Sequence, residues 1–214
     1  MNVGIIWDLD GTLLDTLEDL ADGTNYALSQ LGYPQRTLEE IRQFVGNGAR
    51  NLMIRAVPEG GDPDAVLDVF RPYYNEHCQI KTKPYDGILD VLAALKTRYP
   101  MAVVSNKPDS AVKPLCAQYF PGLYARGEIA GCPRKPAPDS VWAAMEAIGV
   151  DTCIYVGDSE VDVETARNAK VKCLSVLWGF RDRDVLEQAG AAYFCENTSE
   201  LIEKLEEMVV LCNG

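Results

Sequence analysis

The 214-residue sequence predicts an α/β fold, a parallel sheet with helices on both faces, interrupted by an all-helical insertion. Three observations carry this reading. Short apolar runs recur along the chain and stop abruptly at polar residues, as strands buried on both faces do. Segments with helical apolar spacing separate them, the alternation that builds parallel strands with crossover helices. Between residues 15 and 83 that rhythm fails, and helical patterns follow one another with no strand among them.

In chain order, residues 3–9 form the first buried run, ended by acidic residues and Gly11. Helical patterns over 16–31, 37–57 and 62–77 make up the insertion. Pro84 and Gly87 suit a turn rather than a continuing helix, so the insertion is assigned to 15–83 and the core to 1–14 and 84–214. Helical spacing over 86–98 leads to a second strand at 101–105. Helices at 138–149 and 160–169 flank a strand at 153–157, and two more strands are expected at 173–177 and 192–195. Residues 199–211 read as a closing amphipathic helix with Leu201, Ile202, Leu205, Met208 and Val209 on one face, a packing element. Open sheets of this kind bind ligands beyond the carboxyl ends of their strands. The polar residues that end the apolar runs are therefore the candidate site.

Composition narrows the function classes. The net charge is −12 with no Lys/Arg-rich run, which disfavours nucleic acid and anionic membrane surfaces as partners. An anionic small molecule would need positive potential built locally, from a metal ion and a few placed cations. Seven cysteines (78, 116, 132, 153, 173, 195 and 212) form no CxxC pair, which argues for reduced thiols over a disulfide framework or zinc site. The charge that follows residues 3–7 leaves too short an apolar stretch for a signal peptide, and no later run has the length of a membrane span. A cytoplasmic protein is expected.

The strand ends differ in kind, and each supplies something that phosphoryl transfer needs. In Asp8-Leu9-Asp10-Gly11-Thr12 two carboxylates one residue apart point to the same side of an extended backbone, while Leu9 packs inward. Carboxylates serve as nucleophiles toward phosphorus and as acid/base groups. Asp-x-Asp-Gly-Thr would arise by chance in roughly one chain per thousand of this size. Ser105 and Asn106, followed by Lys107, offer a hydroxyl and nearby backbone N–H groups to phosphate oxygens. Lys135 lies in Arg-Lys-Pro-Ala-Pro, whose prolines stiffen a loop able to hold a compact cation. Asp158 and Asp162 stand at the start of a helix after the 153–157 run. There they favour the positive helix end as caps, but magnesium also prefers one or two carboxylates plus phosphate and water. Asp8, the carbonyl of Asp10 and Asp158 make up such a set.

Taken in this order, the four motifs resemble those of the haloacid dehalogenase superfamily of phosphohydrolases, across essentially the whole chain. The resemblance implies a Rossmann-like core with a helical cap, Asp8 as nucleophile and Asp10 as acid/base. It further implies that Ser105 and Asn106 bind phosphate, Lys135 neutralises charge, and Mg2+ is held by Asp8, Asp10 and Asp158 with Asp162 in support. The second aspartate is absent from the dehalogenases themselves, so Asp10 favours phosphate chemistry. Within the insertion, Val45-Gly46-Asn47-Gly48-Ala49-Arg50 interrupts a helical pattern with two glycines. This stretch looks like the cap loop of phosphoglycolate phosphatases, which makes Asn47, Gly48 and Arg50 candidates for specificity, Arg50 as partner of a substrate carboxylate. His77, the only histidine, is read as structural.

The resulting expectation is a Mg2+-dependent phosphatase for a small phosphorylated metabolite, 2-phosphoglycolate first. A sugar-phosphate phosphatase, a pyrophosphatase and a β-phosphoglucomutase-like phosphotransferase share the core residues and stay open. An inactive binding or regulatory module would have no chemical need for Asp8, Asp10, Lys135 and Asp158 together.

Overall fold

In a computed structural model of the chain, which describes residues 1–213, the first apolar run forms β1 (Val3–Trp7), buried along its length. The chain turns through a two-residue strand, β2 (Leu14–Asp15), into four helices: α1 (Leu17–Gln30), α2 (Leu38–Phe44), α3 (Gly48–Ala56) and α4 (Pro63–His77). It returns through β3 (Lys83–Pro84), antiparallel to β2 with Asp15 opposite Lys83. The expected edges of the insertion thus face each other across one short ladder.

Local chemistry sets these helices. Thr37 and Glu40 exchange side-chain and backbone hydrogen bonds in a capping box that starts α2. Asp62 accepts from the Asp64 and Ala65 N–H groups ahead of Pro63 in α4. The pattern read over 37–57 is two helices, α2 and α3. They are parted at Gly46, whose φ of +118° lies where side-chain-bearing residues rarely go.

The core alternates α5 (Ile88–Leu95), β4 (Met101–Pro108), α6 (Asp109–Tyr119), β5 (Tyr124–Glu128), α7 (Asp139–Ile148), β6 (Thr152–Gly157), α8 (Glu160–Ala169), β7 (Lys172–Val176), α9 (Arg183–Gln188) and β8 (Phe194–Cys195). It closes with α10 (Leu201–Asn213). The six strands pair in parallel in the order β5-β4-β1-β6-β7-β8. β5, α6 and α9 are additions to the sequence reading. β5 is Tyr-Ala-Arg-Gly-Glu, an edge strand mostly half-buried, so it carries no apolar run.

Side chains of β1 alternate between layers, as a strand's two-residue period requires. Ile5 and Trp7 join Val103, Ile154 and Val156 beneath α5, α6 and α10, while Ile6 joins Ala102, Val104 and Tyr155 against α7 and α8. The insertion has its own apolar cluster, to which the core contributes Phe180. Among the described residues no helix is long and apolar enough to cross a membrane.

The chain runs from β1 outward through β4 to β5, then crosses back to place β6 on the other side of β1. Connections diverge at this reversal and open a crevice beyond the carboxyl ends of β1 and β6. The two ends of the insertion are tied to each other by Asp19, a buried carboxylate of α1 that accepts from the N–H groups of Lys81 (3.0 Å to each oxygen) and Thr82 (2.8 Å).

Replacing that carboxylate leaves two backbone donors without it. Asp19→Ala is expected to lower stability by about 2 kcal/mol, read from the urea midpoint. An unchanged midpoint would show that Asp19 does not hold the two ends of the insertion together.

Candidate active site

Five segments deliver side chains to the crevice. The carboxyl end of β1 supplies Asp8 and Asp10, with Leu9 turned into the core between them. The end of β4 supplies Ser105, Asn106 and Lys107, the loop after β5 supplies Lys135, and the end of β6 supplies Asp158. The loop after β7 adds Phe180 and Arg181. Leu20, Gly48, Leu52, Phe70 and Tyr74 of the insertion close the other side. The free space between them is about 60 Å³, room for roughly four to six waters.

Lys135 organises the floor. Its side chain is 3% exposed, and Nζ donates to Asp8 Oδ1 (2.7 Å), Asp162 Oδ1 (2.8 Å) and the Tyr155 hydroxyl (3.0 Å). All three ammonium protons are thereby used. Asp162 Oδ2 accepts from the backbone N–H (3.1 Å) and hydroxyl (2.6 Å) of Ser159, so this residue both caps α8 and fixes the lysine. The Lys135 backbone is clasped by Asn106, which accepts from its N–H (2.9 Å) and donates to its carbonyl (3.0 Å). The Asn106 amide thus positions Lys135, while the residue also lines the cavity. Ser105 remains on the cavity wall, its Oγ accepting from the Lys107 N–H (3.1 Å).

Asp158 sits in a fitted cradle. Thr12 Oγ1 donates to Oδ1 (3.2 Å) and the Phe180 N–H to Oδ2 (2.7 Å). Two glycines make the room: a Cβ on Gly11 would lie 2.3 Å from Asp158 Oδ2, and one on Gly179 2.3 Å from Asp158 Cβ.

Asp8, Asp158 and Asp162 each offer an oxygen within 4.8 Å of the others, all three buried. Burial, and then the neighbouring carboxylate of Asp162, push Asp158 up to about 7 and Asp8 well above the usual carboxylate range, despite Lys135. Burial works against the Lys135 ammonium too, but Asp162 and Asp8 outweigh it and hold its pKa above the ordinary lysine value. Three carboxylates against one ammonium leave two negative charges in a low-dielectric pocket. A divalent cation fits that deficit in charge and in its preference for oxygen donors.

Asp10 is held differently. Its Oδ1 accepts from Lys107 Nζ (2.8 Å), and the same nitrogen donates to the Tyr74 hydroxyl (2.6 Å). Lys107 entered the sequence reading only as the end of the Ser105-Asn106-Lys107 string, with no role for its side chain, and Tyr74 has no counterpart among the predicted site residues. Neither does Arg181, which donates to Glu160 (2.8 Å) and to the carbonyls of Arg42 (3.0 Å) and Val45 in the insertion. Of the predicted insertion residues, Gly48 lines the cavity, with φ +79° at the start of α3. Arg50 does not. It forms a two-pronged pair with Asp64 at 2.8 and 2.9 Å and is half exposed. Asn47 is likewise outside the lining and precedes α3 as its cap. His77 stacks on Tyr73 on α4, with ring centroids 4.0 Å apart.

Comparison with known proteins agrees with this geometry. A family profile described as haloacid dehalogenase-like hydrolase matches residues 5–176. A phosphoglycolate phosphatase from Pseudomonas syringae pv. tomato is 34% identical over 97% of this chain and 79% of its own length. An N-acetylmuramic acid 6-phosphate phosphatase from Pseudomonas aeruginosa is 30% identical over 97% of this chain and 96% of its own. A crystal structure from Lactobacillus delbrueckii subsp. bulgaricus, named as a candidate phosphoglycolate phosphatase, superposes with a TM-score of 0.90. It is 38% identical, over 96% of this chain and 99% of that one.

The crowded carboxylates give a pH signature. Asp8 and Asp158 have folded-state pKa values above their unfolded ones. The folded protein therefore holds more protons in the window between, and stability falls as pH rises through it. In chelator the urea midpoint is expected to be higher at about pH 5.5 than at about pH 7.5, and excess divalent cation should remove the difference. A midpoint that climbs with pH in chelator would contradict the charge imbalance.

Proposed function

The chain belongs to the haloacid dehalogenase-like hydrolases, and from that premise we propose a Mg2+-dependent phosphomonoesterase that works through an aspartyl phosphate on Asp8. The observation that carries the reading is the joint placement of Asp8, Asp158 and Asp162, with oxygens within 4.8 Å of one another and with Lys135 bonded to Asp8 and Asp162, at a cavity that also holds Asp10.

Asp8 attacks phosphorus in line, and the bond to the leaving oxygen breaks as the Asp8 oxygen–phosphorus bond forms. Lys135 fixes the Asp8 carboxylate through Oδ1 and sets positive charge beside the phosphoryl oxygens. Asp10 gives its proton to the leaving oxygen, then takes one from water as that water attacks the aspartyl phosphate, freeing Asp8 and inorganic phosphate. Asp8, the carbonyl of Asp10 and Asp158 would hold Mg2+, which when bound supplies charge neutralisation for the phosphoryl group. Residues 15–83 act as a cap over the core of 1–14 and 84–214, excluding water from the reacting groups.

The first substrate is 2-phosphoglycolate, supported by the glycine-interrupted loop at 45–50 and by the similarity to phosphoglycolate phosphatases. A sugar phosphate of the N-acetylmuramic acid 6-phosphate kind is the second reading. Its support is the apolar cap wall of Leu20, Leu52 and Phe70, together with the engagement of Arg50 by Asp64.

Phosphate release should be measured from 2-phosphoglycolate, N-acetylmuramic acid 6-phosphate, hexose phosphates, nucleotides and pyrophosphate, each with Mg2+ and with excess chelator. Mg2+-dependent release led by 2-phosphoglycolate is expected, and abolished in folded Asp8→Asn. Release that persists in Asp8→Asn would remove the nucleophile assignment, and a lead for the amino sugar would move the substrate to the second reading. Gly11→Ala, which crowds Asp158, should raise the Mg2+ needed for half-maximal rate by about tenfold or more. An unchanged requirement would take Asp158 out of the metal site.

A further inference from the structure

Each aspartate of the first motif has its own buried lysine, and each lysine its own tyrosine. Asp8 is held by Lys135, which also contacts the Tyr155 hydroxyl. Asp10 is held by Lys107, which also contacts the Tyr74 hydroxyl. The two differ in where the tyrosine comes from. Tyr155 lies on β6, so the hold on the nucleophile is made wholly within the core. Tyr74 lies on α4, so the hold on Asp10 is shared between core and cap.

We propose that Lys107 is a positioning residue for Asp10 and that Tyr74 completes it, so that leaving-group protonation depends on α4 being seated on the core. The proposal rests on Asp10 being the acid/base of the reaction above. The Lys107 side chain is 3% exposed, and its ammonium sits 4.7 Å from the centre of the Tyr74 ring while donating to the hydroxyl. A buried ammonium is costly unless its protons are taken up, so the place of Nζ is set by where its acceptors stand. With both present, it stands between Asp10 and the cap. Without the Tyr74 hydroxyl, Asp10 loses the fixed donor that sets its carboxylate rotation.

Tyr74 is itself held firmly. Its ring stacks on Phe70 with centroids 4.9 Å apart and planes at 14°, and both are buried in the apolar cluster of the cap. Gly23 of α1 lets the two rings come close: a Cβ there would lie 3.1 Å from Phe70 and 3.2 Å from Tyr74. On the core side, the Lys107 N–H donates to Ser105 Oγ, which fixes the root of the lysine on β4. The chain Phe70–Tyr74–Lys107–Asp10 therefore joins a residue that touches the substrate-facing wall to the group that handles the proton.

The test is first-turnover kinetics of Tyr74→Phe, which keeps the ring and removes one hydroxyl, against two substrates. One is the alkyl phosphate that the wild type hydrolyses best, whose leaving oxygen needs a proton. The other is p-nitrophenyl phosphate, whose leaving group does not. The alkyl substrate is expected to slow by about tenfold or more, while p-nitrophenol release stays within about threefold and KM hardly moves. Lys107→Met should deepen the same split, and Lys107→Arg should recover part of it. Equal loss with both substrates, or no loss, in a folded Tyr74→Phe would overturn the proposal. Asp10→Asn run alongside separates the layers. If it shows the split and Tyr74→Phe does not, the positioning role fails and the acid/base reading stands. If it shows none, the acid/base reading falls and the inference with it.

Discussion

One buried ammonium sets the terms for the rest of the site. Lys135 touches Asp8, Asp162 and Tyr155, three groups from three segments that meet only beyond the carboxyl ends of the sheet. Its backbone is clasped by Asn106 from a fourth segment. Removing one partner of a buried pair leaves the other charge uncompensated, at a cost of about 3–5 kcal/mol. The order β5-β4-β1-β6 is what makes the meeting possible, because it places β1 between the strand that carries Asn106 and the one that leads to Asp158 and Asp162.

The insertion completes the cavity without contributing a carboxylate to its buried acidic cluster. Among the described residues, that cluster comes from the core, while the insertion supplies apolar wall, the Gly48 turn and the Tyr74 hydroxyl. Besides the apolar packing of Phe180, its contacts with the core include polar clasps: Arg181 on the carbonyls of Arg42 and Val45, Arg42 on Asp182, and Lys107 on Tyr74. A seam of hydrogen bonds buries less apolar surface than a continuous core, and such seams open at lower free energy than packed interiors. The same residues that enclose a small phosphate ester are thus suited to release its products.

What the sequence disclosed and what it hid follow from where information sits along the chain. Asp8, Asp10, Ser105, Lys135, Asp158 and Asp162 stand in short contiguous strings at strand ends, so their chemistry and order are both visible. Tyr155 is hidden because it occupies an interior position of an apolar run and reads as packing, although its hydroxyl serves Lys135. Tyr74 falls inside a helical pattern and is brought to Lys107 only by tertiary packing across 33 positions. Arg50 illustrates the same point: a cation beside a glycine-rich loop suggests a ligand, and in the structure it pairs with Asp64, fourteen residues on. β5 escaped because an edge strand need not be apolar on both faces. Trp7 fills the layer under α5.

The balance of charge explains how a protein of net charge −12 can attract a phosphate ester at all. The cavity floor and its support hold four aspartates, Asp8, Asp10, Asp158 and Asp162, against two lysines, each already bonded to one or more of them. Arg181 adds no surplus, because its guanidinium is engaged by Glu160 and by two carbonyls of the insertion. A phosphate dianion entering this arrangement alone would meet an uncompensated charge of its own sign, at the low dielectric that makes such repulsion expensive. On the proposed mechanism a divalent cation is therefore a condition of substrate binding as well as of chemistry. The lysines then serve another purpose. Lys135 holds Asp8 together with Asp162, and Lys107 holds Asp10, so that on the proposed mechanism a nucleophile and a proton donor two residues apart keep separate roles.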